Sequence, residues 1–345
     1  EKEIRIGAIL PLTGDGAVYG EKFKKGIDVA LSEINQRGGI KGNKISIIYE
    51  DDKLDPKEGL NAFQKLSQVN KVPVIIGPIS SGVVLTVAPE ANKSKTVILS
   101  PYASNSKITD AGDYIFRIYP SDAVQGVEGA KLATWLSYKK GAILYINSDY
   151  GVGLKNIFQK EYENAGGKIL VSEGYDTGTT DFRGLLTKIK SVSPEFIYMP
   201  GNAVEMTRIL LQARELRIKA QFISTDAFLD ETIIKNVGIA AEGVMFTTLK
   251  ENRDEIFKNF SAKFNERYNN QEPGLLESLG YDSLNVVALA VEKGKYTADG
   301  IKTALYSIQD YRGVTGLISF DKNGDVVKPF TVKRIVKGKT VSVNE

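Results

Sequence analysis

The chain has 345 residues, 42% hydrophobic and 25% charged, with 45 Lys plus Arg against 42 Asp plus Glu; at roughly 100–200 residues per domain this predicts two soluble globular domains with sizeable cores. The net charge of +3 comes without a clustered basic face, since pairs such as Lys24-Lys25 and Lys139-Lys140 read as solvated surface, so nucleic acid is not an expected partner. With no Cys there are no disulfides or thiolate metal sites, and with no His there is no Ser-His-Asp triad, Cys-His dyad or HExxH zinc site, which leaves an enzyme only carboxylates, Lys or Tyr to work with.

In chain order, Ile4–Leu10 reads as a strand. Phe23, Ile27, Leu31 and Ile34 then fall on one helical face, ended by Gly38-Gly39. Lys44–Glu50 alternates as a strand, and Asp55-Pro56-Lys57-Glu58 is a helix start with Asp as cap and Pro in the first turn. Val72–Gly77 and Thr96–Ser100 are short buried strands around a helix opening near Ser81. The rhythm then restarts, with strands at Ala142–Asn147, Lys168–Ser172, Phe196–Pro200 and Gln221–Thr225 and helices near 151–165, 181–191 and 203–216. Helical stretches follow at 251–268, 276–293 and 297–307, then strands at Gly316–Phe320 and Phe330–Val336. Strands alternating with helices predict an α/β fold of two doubly wound, mainly parallel sheets. No apolar run approaches the ~18 residues of a membrane span. A charged start at Glu1 without Met fits a mature product whose targeting segment has been removed.

In open parallel sheets ligands bind beyond the carboxyl ends of the strands. The residues there differ chemically between the two halves. The first half offers hydroxyls and helix-start N–H groups: Ser80-Ser81-Gly82 opens a helix, and Tyr102-Ala103-Ser104 follows a strand. A first helical turn lacks intrahelical partners for its N–H groups and suits an anion; the alternative is that these serines only cap their own helix. The second half offers Tyr150, Asn202 and Asp226, suited to a cation, with helix capping the alternative for Asp226 and the expected role of Asp149. An anion wall and a cation wall together suit a zwitterionic amino acid. A rival reading is dinucleotide binding at Gly14-x-Gly16-x-x-x-Gly20, with Glu50, Asp51 and Asp52 ending the next strand, but the glycine spacing is one residue too long and the acid lies too far along. Tyr150-Gly151-Val152-Gly153 needs only a tight strand-to-helix turn.

Taken in order, Gly7-Ala8-Ile9-Leu10-Pro11-Leu12-Thr13-Gly14, Tyr19-Gly20, Asn35-Gln36-Arg37-Gly38-Gly39-Ile40-Lys41-Gly42, Tyr49-Glu50-Asp51-Asp52, Ile76-Gly77-Pro78, Asp149-Tyr150-Gly151, Asp181-Phe182 and Ala241-Glu242-Gly243 resemble the leucine/isoleucine/valine-binding protein family, the type I periplasmic binding proteins of ABC transporters. The likeness is strongest over the first ~250 residues.

The resemblance implies two lobes, residues 1–119 with 250–327 and 120–249 with 328–345, closing on a ligand between them. It implies that Ser81 and the Tyr102-Ala103-Ser104 turn hold a ligand α-carboxylate, Ala103 through its N–H and Ser81 and Ser104 through N–H and hydroxyl. Tyr150 and Asp226 would hold the α-ammonium, and Tyr19 would wall the side-chain pocket. It further implies no cofactor or metal, no catalysis, a monomer that hands its amino acid to an ABC permease, and a periplasmic or extracellular place, with lipid anchoring possible in the precursor. Branched-chain members usually carry a small residue where Tyr102 stands, an aromatic where Asn202 stands, and often Glu where Asp226 stands. Leu275, Leu276 and Glu277 stand where an aromatic often lines the pocket, and a disulfide found in some members is missing. The alternatives are a sensor or binder of amides or other small organic ligands on the same fold and, more distantly, a nucleotide-dependent enzyme.

Overall fold

The computed structural model describes residues 3–228 and 231–343. Its first strand, β1 (Ile4–Leu10), buries every residue except Arg5, as expected for a strand covered on both faces. Helix α1 (Ala17–Gln36) follows, then β2 (Ile45–Asp51), α2 (Pro56–Gln64), β3 (Val74–Ile76), α3 (Ser81–Ser94), β4 (Val97–Ser100) and β5 (Ile115–Arg117). Asp55 caps α2 as its sequence indicates, accepting from the N–H groups of Lys57 and Glu58 with Pro56 in the first turn. Next come α4 (Asp122–Trp135), β6 (Lys140–Ile146), α5 (Asp149–Asn164), β7 (Lys168–Tyr175), α6 (Arg183–Ser191), β8 (Phe196–Tyr198), α7 (Ala203–Glu215), β9 (Gln221–Ser224), α8 (Glu231–Val237) and β10 (Met245–Leu249). The chain ends with α9 (Glu255–Arg267), α10 (Leu275–Lys293), α11 (Ala298–Tyr306), β11 (Tyr311–Gly313), β12 (Gly316–Ile318), β13 (Phe330–Val336) and β14 (Lys339–Ser342).

These elements form two units, Glu1–Ser121 with Glu251–Lys328 and Asp122–Lys250 with Pro329–Glu345. The first holds a parallel five-stranded sheet in the order β2-β1-β3-β4-β5. On one face Ile9, Ile75, Ile98 and Ile115 pack with Phe63 of α2 and Val83, Val84 and Val87 of α3. On the other, α1 and α10 cross so closely that a Cβ on Gly26 would stand 1.9 Å from the Glu277 carbonyl oxygen. Strands β11 and β12 pair separately as an antiparallel ribbon.

The second unit holds a seven-stranded sheet in the order β14-β13-β10-β9-β8-β6-β7. Its β6–β10 part is parallel, and β13 and β14 add antiparallel at one edge. Ala130 and Ala133 of α4 and Phe158 and Tyr162 of α5 pack on Ile143, Phe196, Tyr198 and Ile223. The Phe158 and Tyr198 rings stack at 3.8 Å. Strands β5, β10, β11 and β14 and helices α4 and α8 go beyond the elements legible in the sequence. Three of those strands are only three or four residues long, and α4 presents Gly126, Gly129, Ala130 and Ala133 rather than a stripe of large apolar side chains.

Candidate functional site

In the first unit the carboxyl edge of the sheet is shaped by three loops. The loop after β1 is closed by Asp51 at the end of β2, which accepts the Leu12 N–H at 2.8 Å and the Thr13 hydroxyl. Burial alone would raise the Asp51 carboxyl, but the Thr13 hydroxyl and the N–H groups of Leu12, Lys53 and Thr13 hold it below its ordinary value. The acid of the dinucleotide-like pattern is therefore spent on its own loop. Gly20 lets the first turn of α1 return against that loop, since a Cβ there would stand 1.8 Å from the Pro11 carbonyl oxygen. Tyr19, its neighbour, is buried.

The loops after β3 and β4 are bound to each other. Ser100 Oγ donates to the Pro78 carbonyl oxygen at 2.6 Å and accepts the Ala103 N–H at 3.0 Å. Ser81 Oγ accepts the N–H groups of Ser104 at 3.2 Å and Asn105 at 3.1 Å. A hydroxyl has two acceptor positions and one proton, so Ser81, with both acceptor positions used, is left to act as a donor. Neither serine caps α3 in the way the sequence allowed: Ser80 is the N-cap residue and makes no side-chain bond to the first turn. Among the described residues, neither Ser80 nor Ser81 gives the first-turn N–H groups of α3 a side-chain cap, and such groups have no intrahelical acceptor. The Ala103 N–H bonds to Ser100 Oγ, a contact within the turn that the sequence reading did not include. The Tyr102 ring packs at 5.6 Å from Phe23 of α1 and 5.0 Å from Tyr119. Beneath this turn Arg117, fully buried, donates to the Asn105 carbonyl oxygen at 2.9 Å and pairs with Asp325 through Nε at 2.6 Å and Nη2 at 2.8 Å.

In the second unit Tyr150 lies in the first turn of α5. Gly151 permits the tight entry, because a Cβ there would stand 2.1 Å from the Ile146 carbonyl oxygen. The helix cap is Ser148, whose Oγ accepts the Gly151 N–H at 3.2 Å; Asp149, expected as the cap, is instead the first helical residue. The Tyr150 hydroxyl is 2.7 Å from Thr225 Oγ1. Asp226 follows directly, opening a short 3-10 turn with 4% of its surface exposed. Burial first, then the charges of Asp226 and Asp122, hold the Tyr150 hydroxyl well above its ordinary pKa, and the same three influences act on the fully buried Tyr198. Asn202 is the N-cap of α7, after β8, and its side chain makes no cap bond.

The structure therefore joins Ser81 to Ser104 in one unit and sets Tyr150 beside Thr225-Asp226 in the other. Three polar groups around Asp226 have no counterpart in the sequence reading: Asp122 and Gln125 of α4, and Thr247 of β10. All three are fully buried, and Gln125 Nε2 donates to Asp226 Oδ1 at 3.0 Å. The spacing Asp122-x-x-Gln125 puts both on one face of a helix, but only the long-range pairing with the turn after β9 gives that face a role. Among the described residues no group of Asp and Glu is arranged to hold a metal ion, and no helix is long and apolar enough to cross a membrane.

Comparison with known proteins agrees with this architecture. The family model described as periplasmic binding protein matches residues 3–340. A Leu/Ile/Val-binding protein homolog of Brucella abortus is 30% identical over 335 residues, covering 95% of this chain and 88% of its own. Among solved structures, a leucine binding protein from Thermotoga maritima superposes with a TM-score of 0.93 at 28% identity, covering 98% of this chain and 97% of its own. A branched-chain amino acid transporter substrate binding protein from Streptococcus pneumoniae, in complex with isoleucine, has a TM-score of 0.91 at 30% identity, covering 98% of each chain. With a family match across nearly its whole length, this chain belongs to the periplasmic binding proteins.

Proposed function

We propose that this protein is the extracytoplasmic solute receptor of an ABC importer and binds a free aliphatic amino acid without altering it. The observation that carries the reading is the split chemistry of the two sheet edges: the hydroxyls of Ser81 and Ser104 with the N–H groups at the start of α3 in one unit, and a buried carboxylate with a tyrosine hydroxyl, Asp226 and Tyr150, in the other. The first set suits a carboxylate, the second an ammonium. A ligand carrying both charges is served only when both units hold it, so binding favours a closed state by the difference in contacts between open and closed forms. That closed form is the one a membrane permease reads. The aliphatic side chain is supported by the isoleucine complex of the Streptococcus pneumoniae relative and by the leucine-binding relative from Thermotoga maritima.

The test is a melting-temperature screen of free amino acids, amino alcohols lacking the carboxylate, and carboxylic acids lacking the amine, followed by calorimetry. A ligand at about 100 times its Kd stabilises by about 2.7 kcal/mol. Leucine, isoleucine or valine should raise the melting temperature, and the two truncated classes should not. Stabilisation by amides or simple carboxylic acids, with amino acids silent, would replace this reading by the same fold serving another class of small organic ligand.

A further inference from the structure

At the amino edge of the second unit's sheet lies a pocket of about 620 Å³. Glu195, Gln221 and Val244 line it just as β8, β9 and β10 begin, whereas Asp226 follows the far end of β9. The volume falls within the ~300–1,000 Å³ of small-molecule sites. Gln221 ties the starts of β9 and β10 together there, its Nε2 donating to the Gly243 carbonyl oxygen at 2.7 Å and to the Phe222 carbonyl oxygen at 2.8 Å. Four cations share the lining: Arg214 at the end of α7, Arg217 and Lys219 in the connection to β9, and Arg334 of β13. Arg334 stands opposite Met245 in the β13–β10 pairing, and a Cβ on Gly243 would be 3.7 Å from its Nη2.

Elsewhere the arginines are spent on carboxylates, Arg183 on Asp181 and Glu215, Arg253 on Glu251 and Arg312 on Asp254. The side chains of Arg214, Arg217, Lys219 and Arg334 have no hydrogen-bond or ion-pair partner among the described residues. The two carboxylates of the lining are engaged by backbone. Glu195 Oε2 accepts the N–H groups of Lys139 at 2.7 Å and Lys140 at 2.8 Å, and Glu242 Oε1 accepts the Lys337 N–H at 3.1 Å. A concavity lined mainly by one sign of charge concentrates counter-ions. Arg214 offsets the carbonyl end of α7, but Arg334 belongs to a strand, so that helix end does not account for the group. Three of the four are arginines in a chain whose cations are mostly lysines. The guanidinium fork matches the paired oxygens of a phosphate or carboxylate, which an ammonium does not.

We propose that this pocket is a second binding site, for a compact multivalent oxyanion free in solution, a phosphate or a polycarboxylate, held by Arg214, Arg217, Lys219 and Arg334. The site lies wholly within the second unit and does not rest on the amino-acid reading of the other sheet edge. Cations that line a concavity admit a solute more readily than the flat face of a bilayer.

The experiment is calorimetric titration of citrate, inorganic phosphate and chloride at one fixed ionic strength, so that general screening is held constant. The proteins are the parent, Arg217→Gln, Arg334→Gln, the double variant of both, and Lys322→Gln, which removes an exposed cation of the first unit. Citrate and phosphate should bind the parent saturably at one site, and chloride should not. Each single arginine variant should weaken citrate roughly tenfold and the double variant roughly a hundredfold, while Lys322→Gln binds like the parent. Saturating L-leucine should leave the citrate affinity unchanged. The proposal is overturned if neither citrate nor phosphate binds saturably, or if the arginine variants bind within about threefold of the parent. It is equally overturned if Lys322→Gln loses as much, which marks general charge attraction, or if leucine competes with citrate, which puts the anion at the other edge. Phosphatidylglycerol vesicles that capture the parent while free citrate and phosphate stay silent would give the cations to a membrane and overturn it too. Because the four side chains have no partners, the unliganded variants should melt with the parent. Should a glutamine variant melt earlier, Arg334→Lys, which keeps the charge and loses the fork, carries the same comparison with the same outcomes.

Discussion

Ser81 Oγ accepts the Ser104 N–H at 3.2 Å, joining the first turn of α3 to a turn 23 residues further along the chain. The same oxygen takes the Asn105 N–H at 3.1 Å. One hydroxyl therefore sets the shape of the loop after β4 and, with both its acceptor positions filled, keeps a proton to donate. Removing it as Ser81→Ala strands two buried N–H groups at about 1–3 kcal/mol each. The first unit should melt several degrees lower, at about 2–4 °C per kcal/mol for a domain of this size, and carboxylate recognition should weaken with it. Calorimetric melting of the unliganded protein, with leucine titration alongside, measures both. An unchanged melting temperature would show that Ser81 does not organise the turn.

Arg117 supports that turn from below. It is fully buried and reaches both Asp325 oxygens as well as the Asn105 carbonyl oxygen. The pairing is bidentate and cannot be reproduced by a lysine. Arg117→Leu leaves the Asp325 carboxylate, itself only slightly exposed, without its partner, at an expected cost of about 3–5 kcal/mol in denaturant unfolding. In the Arg117→Leu/Asp325→Leu double variant the loss should be much smaller than the sum of the two single losses. Additive losses would mean that the pair is not coupled.

Much of the fold was legible because it rests on local patterns. The Asp55-Pro56 start of α2, the strand at Ile4–Leu10 and the late strand at Phe330–Val336 all appear where periodicity and capping chemistry put them. The pairing of β13 with β10 depends on contacts far apart in sequence, and β10 itself was not separated from the loops around it. The same limit governed the candidate site. Ser81, Ser104, Tyr150 and Asp226 stand just beyond strand ends, a position that sequence reveals. Gln125 lies on a helix of small residues, and its partner is a carboxylate 101 residues away. The bond from the Ala103 N–H was missed for a related reason: nothing in the order Ser100-Pro101-Tyr102-Ala103 says that Ser100 Oγ turns back to accept it.

Asp52 gives a pH dependence whose sign is fixed by its surroundings. It is fully buried at the end of β2, and burial, with Asp51 and Asp55 nearby, pushes its carboxyl up to about 6 against the opposing Leu54 N–H. The folded protein therefore holds a proton that the unfolded chain releases near pH 4. Between about pH 4 and 6 the native state binds more protons, so this residue's contribution to stability falls as pH rises through that window. Asp52→Asn removes the titration and keeps an oxygen for the Leu54 N–H. The stability of the variant relative to the parent should shift in its favour by about 3 kcal/mol between pH 4 and pH 7, following a change of about two pKa units at 1.36 kcal/mol each. Urea unfolding of both proteins across this range measures the difference. A difference independent of pH would place the Asp52 carboxyl near its ordinary value.

Under the proposed function, Asp226 is the residue on which amino-group recognition would turn. It stands at the carboxyl end of β9 beside Thr225, whose hydroxyl meets that of Tyr150, and is almost entirely buried. An ammonium brings three donors and one positive charge into a place from which water is displaced. Tyr150 answers with an oxygen but no charge, since burial and the neighbouring carboxylates keep its hydroxyl protonated. The charge must come from the carboxylates, and Asp226 is the one that follows a strand directly. Removing one member of a buried charge pair costs about 2–5 kcal/mol, most of it from the charge left unpaired. Asp226→Ala should therefore weaken leucine binding by roughly 30- to several-thousand-fold. Asp226→Asn, which keeps the shape and loses the charge, should forfeit most of the same affinity. The Gln125 amide loses its charged acceptor in either variant, a smaller loss felt by the unliganded fold, so the melting temperature without ligand should fall by only a few degrees. If Asp226→Ala binds leucine within about threefold of the parent, or unfolds before ligand is added, the aspartate serves the framework of the second unit and the ammonium is held elsewhere.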